Sequence, residues 1–408
     1  MPPVSHSVAA DFGAAERRSF APGRSRAPAA EGAIIVERIG AAEAQLAVAD
    51  WRNLVARALE PNVFLDPAFA LAAARAIAPR VEFLLVWEGD GGQRRLIALW
   101  PMAPRRFWAV SPIRGWMHDY GCSGAPLLDR ERASAALSAL MDNLRSSAAR
   151  ACALIVPQLK RDGPTFILLR QFARCRRLSF DVVSAHDRAA FSFPGLDGAP
   201  PQTASRKKLK EWRRQTRRLQ DRGPLSFGMA SDGAELEKRV EDFLRIEASG
   251  WKGGDGGAFL KRPGHAAFLR EALAGMAEQG AVRLYWLACG KRIVACNILF
   301  VAANEAYFWK TAFDEDFAFA SPGVLLTMHM TEALQREGGL RLIDSCATPD
   351  HAMIDRIWRE RTPVADVMLA LETGRQVQFG RRLWLERQRR NLRRLAKSAW
   401  IRLIRGRP

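Results

Sequence analysis

No Cys-x-x-Cys pair and no metal-ligand spacing occurs among the six cysteines, at positions 122, 152, 175, 289, 296 and 346. They sit mostly in apolar strand-like or helical surroundings, so they read as small buried hydrophobes, and a reducing cytoplasm is the expected compartment. No apolar run reaches the roughly 20 residues that a membrane-spanning helix needs. The first thirty residues, rich in Ala, Pro, Ser and Arg, have no apolar h-region and carry Asp11 and Glu16. They read as a disordered leader, 1–32, and not as a signal peptide. Two segments combine few acidic residues with many basic ones. Glu211 and Asp221 are the acidic residues of 205–222, and Glu386 is the one acidic residue of 375–408.

Those two segments locate the charge. The chain carries a net charge of +19, of which a surplus of 7 lies in 205–222 and 11 in 375–408. The remainder is close to neutral, so the basicity belongs to two local devices and not to the whole fold. With 408 residues and 48% apolar content, the chain suits a soluble protein of two ordinary domains.

The first half reads as mixed α/β. A strand near 33–39 leads to helices over 43–59 and 68–77, the second capped by Asp66-Pro67. A hairpin of 81–88 and 95–102 turns at Gly89-Asp90-Gly91-Gly92. Helices follow over 131–150 and 165–172, and strands over 153–156, 178–183 and 190–193. Gly and Pro between 194 and 203 mark a domain boundary. After the basic helix the second half orders itself β, α, α, β, β, β, α, β, α, β, an α+β layout with an antiparallel meander. Within it, Tyr307–Phe313 is strand-like, 314–320 is irregular, and Ser321-Pro322-Gly323 opens a helix backed by Val324, Leu325, Met328 and Leu334. The stretch reads as an ordinary capped strand–loop–helix unit or, since a strand delivers the chain to a bare helix N-terminus, as an anion site suited to phosphate.

Four phrases sharpen this order: SRKKLKEWRRQTRRLQDRG (205–223), ASGWKGGDG (248–256), WKTAFDEDFAFASPGVLL (309–326) and DSCATPDHAMIDRIWRERTPV (344–364). Together they resemble the branch of GNAT-fold acyltransferases that includes the CelD-like proteins of cellulose and exopolysaccharide biosynthesis. That branch is related to the Fem-type transferases of peptidoglycan. The resemblance covers 33–372. It implies tandem GNAT-like domains: 33–194, a linker and basic helix at 195–223, and an acyltransferase domain at 224–373. It also implies transfer of an acyl group, usually acetyl, from coenzyme A to an amine or hydroxyl of a small-molecule or saccharide acceptor. The usual Q/R-x-x-G-x-G/A phosphate loop is replaced here by Ala320-Ser321-Pro322-Gly323-Val324, a form common in the branch. Fewer glycines leave less room for the pyrophosphate.

Direct acyl transfer needs a held thioester, an oriented acceptor, a base and donors for the developing oxyanion. Glu247 reads as the general base or as a solvated helix-end carboxylate. Asp344, in an apolar strand, needs either a catalytic role or a partner such as Arg341 or Lys310. Strand amides around Phe308, Lys310 and Ala312 would grip pantetheine. Ser321, Pro322, Gly323, Val324 and Leu325 would face the pyrophosphate. Trp251 and Lys252, on a Gly-rich loop, read as a substrate clamp or as a loop anchor; Asp350 and His351 follow a strand end. His118-Asp119-Tyr120 reads as domain-interface packing.

The basic helix, anchored by Leu209, Trp212 and Leu219, is a solvated linker, a site for an anionic acceptor, or a contact for RNA. Because Fem-type relatives take activated amino acids from tRNA, a tRNA-dependent aminoacyl transferase is the competing enzyme reading. A degenerate acyl-CoA-binding regulator is the non-enzymatic one. In the tail, 374–408, Trp384, Leu392, Leu395, Ala399 and Leu403 form an arginine-flanked stripe. It fits peripheral attachment to the anionic inner leaflet beside polysaccharide synthase machinery. A disordered basic tail is the alternative.

Overall fold

The computed structural model describes residues 32–89, 93–104, 111–147, 152–193, 206–254 and 256–405, without the side chains of 206–209, 251–252 and 397–405. The expected leader (to residue 31), the 194–203 boundary and the tip of the first hairpin lie outside the described residues.

In the first half the elements are β1 (Ile34–Ile39), α1 (Ala41–Ala44), α2 (Val48–Ala56), α3 (Pro67–Ala76), β2 (Glu82–Glu88), β3 (Arg95–Met102), β4 (Ile113–Arg114), β5 (Leu127–Leu128), α4 (Ala133–Ser147), β6 (Ala153–Lys160), α5 (Pro164–Cys175) and β7 (Phe180–Ser192). The second half adds α6 (Arg206–Gln220), β8 (Leu225–Ala230), α7 (Gly233–Ser249), α8 (Trp251–Gly254), α9 (His265–Ala277), β9 (Val282–Cys289), β10 (Arg292–Ala302) and β11 (Glu305–Phe313). It ends with α10 (Pro322–Glu337), β12 (Leu342–Asp344), α11 (Ile354–Ile357), β13 (Glu360–Ala370) and α12 (Gln376–Arg405). The fold is α+β, with mixed, mainly antiparallel sheets flanked by helices.

Capping follows the sequence where it was clearest. The Asp66 carboxylate accepts the Ala68 N–H at the start of α3, and Pro67 takes the first helical position. The hairpin of β2 and β3 forms in antiparallel register from Glu82↔Met102 to Glu88↔Arg95.

Sheet order departs from two consecutive domains. A four-stranded sheet runs β1-β2-β3-β5, and a nine-stranded one runs β4-β6-β13-β7-β12-β11-β10-β9-β8. Strand β13, assigned from sequence to the second domain, lies between β6 and β7 of the first, and β7 pairs with β12 of the second. The halves therefore share one sheet and exchange a strand. Two short strands were expected where β7 is one, because Ser184-Ala185-His186-Asp187-Arg188 lacks apolar alternation. Pairing with β13 along nearly its whole length carries the backbone through this polar run.

Four cores fill the layers. The largest joins α2, α3, α7 and α9 to one face of β9–β11, with Phe69 meeting Phe268, Phe300 and Trp309 edge-on at 5.2–5.6 Å. Helices α3 and α9 cross where Gly275 faces Ala68; a Cβ at 275 would lie 2.8 Å from that of Ala68, so glycine sets this approach. The other face of β9–β11 packs on α10 through Leu299, Phe308, Leu326 and Met330. A further core joins the four-stranded sheet to α4, α5 and the β6–β13 region.

Helix α12 closes the outer face of β6, β13 and β7. Phe379 and Leu383 bury themselves against Ile155, Val183 and Met368. Behind them Glu386 is buried and accepts from Arg114, Arg389 and Arg390 at 2.7–2.8 Å, while Arg390 also pairs with Asp366. The expected stripe of Trp384, Leu392 and Leu395 is exposed, not docked; Ala399 and Leu403 have side chains outside the described residues. Burial raises the Glu386 carboxyl, but hydrogen bonds from Arg389, Arg114 and Arg390 outweigh it and take it from 4.5 down to about 2. A depressed carboxylate stabilises the fold above its unfolded value and loses that contribution as pH falls through the folded one. In equilibrium unfolding followed by circular dichroism, wild type should lose up to roughly 3 kcal/mol more than Glu386→Gln between pH 4.5 and 2, the carboxylates common to both cancelling in the difference.

Candidate functional site

Strands β11 and β12 are parallel neighbours joined by α10, as the order of elements predicted. Their ladder holds three pairs, Glu305↔Leu342, Ala306↔Ile343 and Tyr307↔Asp344. Beyond Tyr307, β11 runs on to Phe313 beside β10 alone, so its other edge opens into a cleft.

Two local features make the cleft. A bulge in the β10–β11 ladder passes from Ile298↔Lys310 to Leu299↔Phe308 and leaves Trp309 as the extra residue. Trp309 and Lys310 then share a face. The Lys310 ammonium lies 4.8 Å from the Tyr120 ring, 5.5 Å from Trp309 and 5.9 Å from Phe259. The second feature ends β12. The Asp344 carboxylate accepts the Cys346 N–H at 2.8 Å, turning the chain out of the ladder, and Arg188 of β7 meets it at 3.4 Å. Arg188 and Asp344 are both buried, and Arg188 also donates to the Cys122 carbonyl and to Gln158. Arg188, not Arg341 or Lys310, is thus the partner that Asp344 required. Arg341 pairs with Glu305 instead.

The floor of the cleft is tied by side chains. Thr311 Oγ1 donates to Asn297 Oδ1 at 2.8 Å, Asn297 Nδ2 donates to Thr327 Oγ1 at 3.2 Å, and Thr327 Oγ1 donates to the Gly323 carbonyl at 2.8 Å. This chain clamps the first turn of α10 against β10 and β11. Gly323 is buried beside Phe313, Met353 and Thr311, with 3.7–3.8 Å from a Cβ position to each.

The corner differs from the expected cap. Ser321 is left-handed (φ 48°), and its hydroxyl caps nothing in the helix; it receives the Gln215 amide of α6 at 3.4 Å. The Val324 and Leu325 N–H groups, expected to face a phosphate, donate to the Ser321 carbonyl at 3.0 and 3.2 Å. Leu325 packs in the core with Phe308. No hydrogen bond from the Gly323 amide is seen outside α10 itself among the described residues. Positive charge comes from α6, which packs on the corner, and from the turn after it: the Arg218 and Arg222 guanidinium groups lie 5.3 and 5.4 Å from the Phe319 ring. Trp212 and Leu219 anchor α6 as read from the sequence; the Leu209 side chain is outside the described residues.

A cavity of about 230 Å³ opens at the far end of β11, lined by Glu247, Gly250, Thr311, Ala312, Phe313, Glu315, His351 and Met353. Glu247 is buried, not solvated at a helix end, and one carboxylate oxygen accepts the Phe259 N–H at 2.9 Å. His351 accepts the Ile354 N–H at 3.4 Å through Nδ1. The fold thus brings Glu247, Ala312 and His351 around one space, while Asp344 sits at the apex of the splay and Asp350 is exposed and left-handed (φ 59°). Backbone at Trp251 and Lys252 forms α8; their side chains lie outside the described residues. Among the described residues no group of three or more His, Cys, Asp or Glu is placed to hold a metal.

Sequence reasoning missed His265, Arg262 and Arg188. The Tyr120 hydroxyl lies 2.6 Å from His265 Nδ1, its ring stacks on Phe259 and Phe268, and its carbonyl accepts the Trp309 indole N–H. Arg262 pairs with Asp119 at 3.0 Å. Burial pushes the Tyr120 phenol up to about 12 and the His118 imidazole down to about 4, so both are neutral near pH 7. Residues 118–120 pack between the halves, as read from the sequence, and Tyr120 also roofs Lys310. Nothing in the sequence links positions 120 and 265 except the fold.

Residues 206–351 match the family described as acetyltransferase (GNAT) domain. No curated protein matches the chain in sequence. Among solved structures, the C-terminal domain of a protein assigned as a lysylphosphatidylglycerol synthetase from Agrobacterium fabrum aligns at 14% identity and TM-score 0.50, over 82% of this chain and 94% of that one. FemX aligns at 11% identity and TM-score 0.49, over 84% and 98%. A tandem GNAT protein from the clavulanic acid biosynthesis pathway aligns at 14% and TM-score 0.41, over 84% and 100%. The splayed parallel pair with a helix N-terminus at its mouth thus falls within the segment that matches the acetyltransferase domain.

The buried pair at the apex is open to test. Arg188→Met should destabilise the protein by about 3–5 kcal/mol by stranding the Asp344 charge. The double variant Arg188→Met/Asp344→Leu should recover most of that in chemical denaturation.

Proposed function

We propose that the chain is an acyl-CoA-dependent acyltransferase that passes an acyl group, acetyl first among them, directly to an amine or hydroxyl. The observation that carries this reading is the splay after Tyr307↔Asp344, with the buried Gly323 turn of α10 at its mouth and the Glu247 cavity at the end of β11. The residues fit a coenzyme A thioester. The β11 edge from Phe308 to Ala312, past the last pair with β12, would offer backbone hydrogen bonds to an extended pantetheine arm. The Gly323 amide and the α6 arginines supply positive potential for the diphosphate, offsetting the glycines and amides that the corner lacks. When bound, the thioester supplies the activated acyl group.

Glu247 would accept the proton that the acceptor loses on attack, its carboxylate oriented by the Phe259 N–H. His351 lines the same space and would contact the acceptor. Lys310, held over three rings, keeps a positive charge near the cleft for the developing negative oxygen. Asp344 acts by ending β12 and so positions the cleft. A saccharide acceptor in cell-envelope or polysaccharide assembly rests on the sequence resemblance to CelD-like proteins.

Charge on α6 also suits RNA, which keeps aminoacyl transfer from tRNA as the second reading: Arg213, Arg214, Arg217 and Arg218 are all exposed. Calorimetry with acetyl-CoA should show binding to wild type and to Gly323→Ala. Leucine at 323 would reach the Phe313–Met353 wall and should weaken it more than tenfold. Glu247→Gln should lower kcat by roughly 10²–10⁴ with acyl-CoA affinity unchanged. Absence of any heat with coenzyme A would sink the proposal, and loss of transfer on ribonuclease treatment would select the tRNA reading. A biological effect retained by Glu247→Gln without transfer would mark a regulator.

A further inference from the structure

Helix α12 has two working sides. Phe379, Leu383, Glu386 and Arg390, spaced four, three and four residues apart, lie along the side that is docked on the sheet. At about 100° per residue, Val377, Trp384, Leu385, Leu392 and Leu395 fall on the opposite side. They are 77, 59, 48, 65 and 67% exposed. Five large apolar side chains along about 27 Å of one helix face exceed the scattered exposure of an ordinary surface.

The charges around this row are of one sign. Glu386 is the helix's one acidic residue through Arg405, and it is buried on the docked side. Arg381, Arg382, Arg393 and Arg394 form no ion pair among the described residues. By the same rotation Arg381 falls within the apolar row and Arg382 beside it, while Arg393 and Arg394 are exposed further along, so the outward surface is apolar and cationic with no exposed carboxylate of the helix. No helix of the described residues is long and apolar enough to cross a membrane. A helix of this character lies in the plane of a bilayer interface, with its apolar row at the acyl boundary and its arginines among phosphates.

We propose that the outer face of α12 docks the protein on an anionic phospholipid surface. A second copy of the chain is disfavoured as the occupant because two such faces would bring arginine against arginine with no carboxylate between them. Docking through Phe379, Leu383 and the Glu386–Arg390 network holds the helix against the body, so the row is presented outward without unfolding anything. This inference is independent of the transferase reading.

The test is co-sedimentation of the full chain with vesicles of phosphatidylglycerol and phosphatidylcholine, against pure phosphatidylcholine. We expect enrichment on the anionic vesicles alone, weakening as salt rises. Two variants keep the docked side intact: Trp384→Ser/Leu392→Ser/Leu395→Ser and Arg381→Gln/Arg382→Gln/Arg393→Gln/Arg394→Gln. Each should lower the partition coefficient more than tenfold while leaving the melting temperature unchanged. Equal partitioning onto both vesicle types, or binding that survives the serine variant, overturns the proposal. So does a concentration-dependent dimer in light scattering that the serine variant abolishes.

Discussion

A charge pair hidden at the centre of the nine-stranded sheet, Arg188 with Asp344, decides where the sheet opens. Strand β12 could have continued along β11 for several more residues. It stops because Asp344 draws the Cys346 amide into its own carboxylate, and a bare carboxylate at that depth is tolerated only with a guanidinium beside it. Burial opposes the Arg188 charge, yet Asp344 holds it above its ordinary range. From that stop follows the stretch of β11 beyond Tyr307 that has β10 alone as its sheet neighbour. The Asn297–Thr327 chain then fixes how near the helix lies to the strand.

Much of this was readable in the sequence. The strand at 305–313, the helix after Ser321-Pro322 and their parallel partner stand out because alternation, turn residues and helix spacing agree there. Glu247 and His351 were picked as chemical groups without knowing that they share a cavity. Other features were silent for physical reasons. Asp344 and Arg188 are 156 residues apart, and no local pattern joins them. Ser321 looks like a serine cap, but its backbone is left-handed and its carbonyl closes the turn instead, which consumes two amides expected to be free.

The tail shows that an apolar count marks only one of a helix's two working sides. Trp384, Leu392 and Leu395 carry the largest apolar area and so define the visible stripe. The face that docks is half polar, and what makes it dock is Glu386 collecting three arginines beneath Phe379 and Leu383. Amphipathicity measured on one chain cannot register charges waiting at Arg114 and Asp366.

The interleaving of β13 between β6 and β7 bears on synthesis. While the ribosome is still making the second half, the first half has two sheet edges, apolar β6 and the more polar β7, with the hydrogen-bonding groups that face β13 unanswered. Only when residues 360–370 have cleared the exit tunnel can that gap be zipped shut. The sheet order thus makes the first half's pairing wait for one of the last strands of the chain.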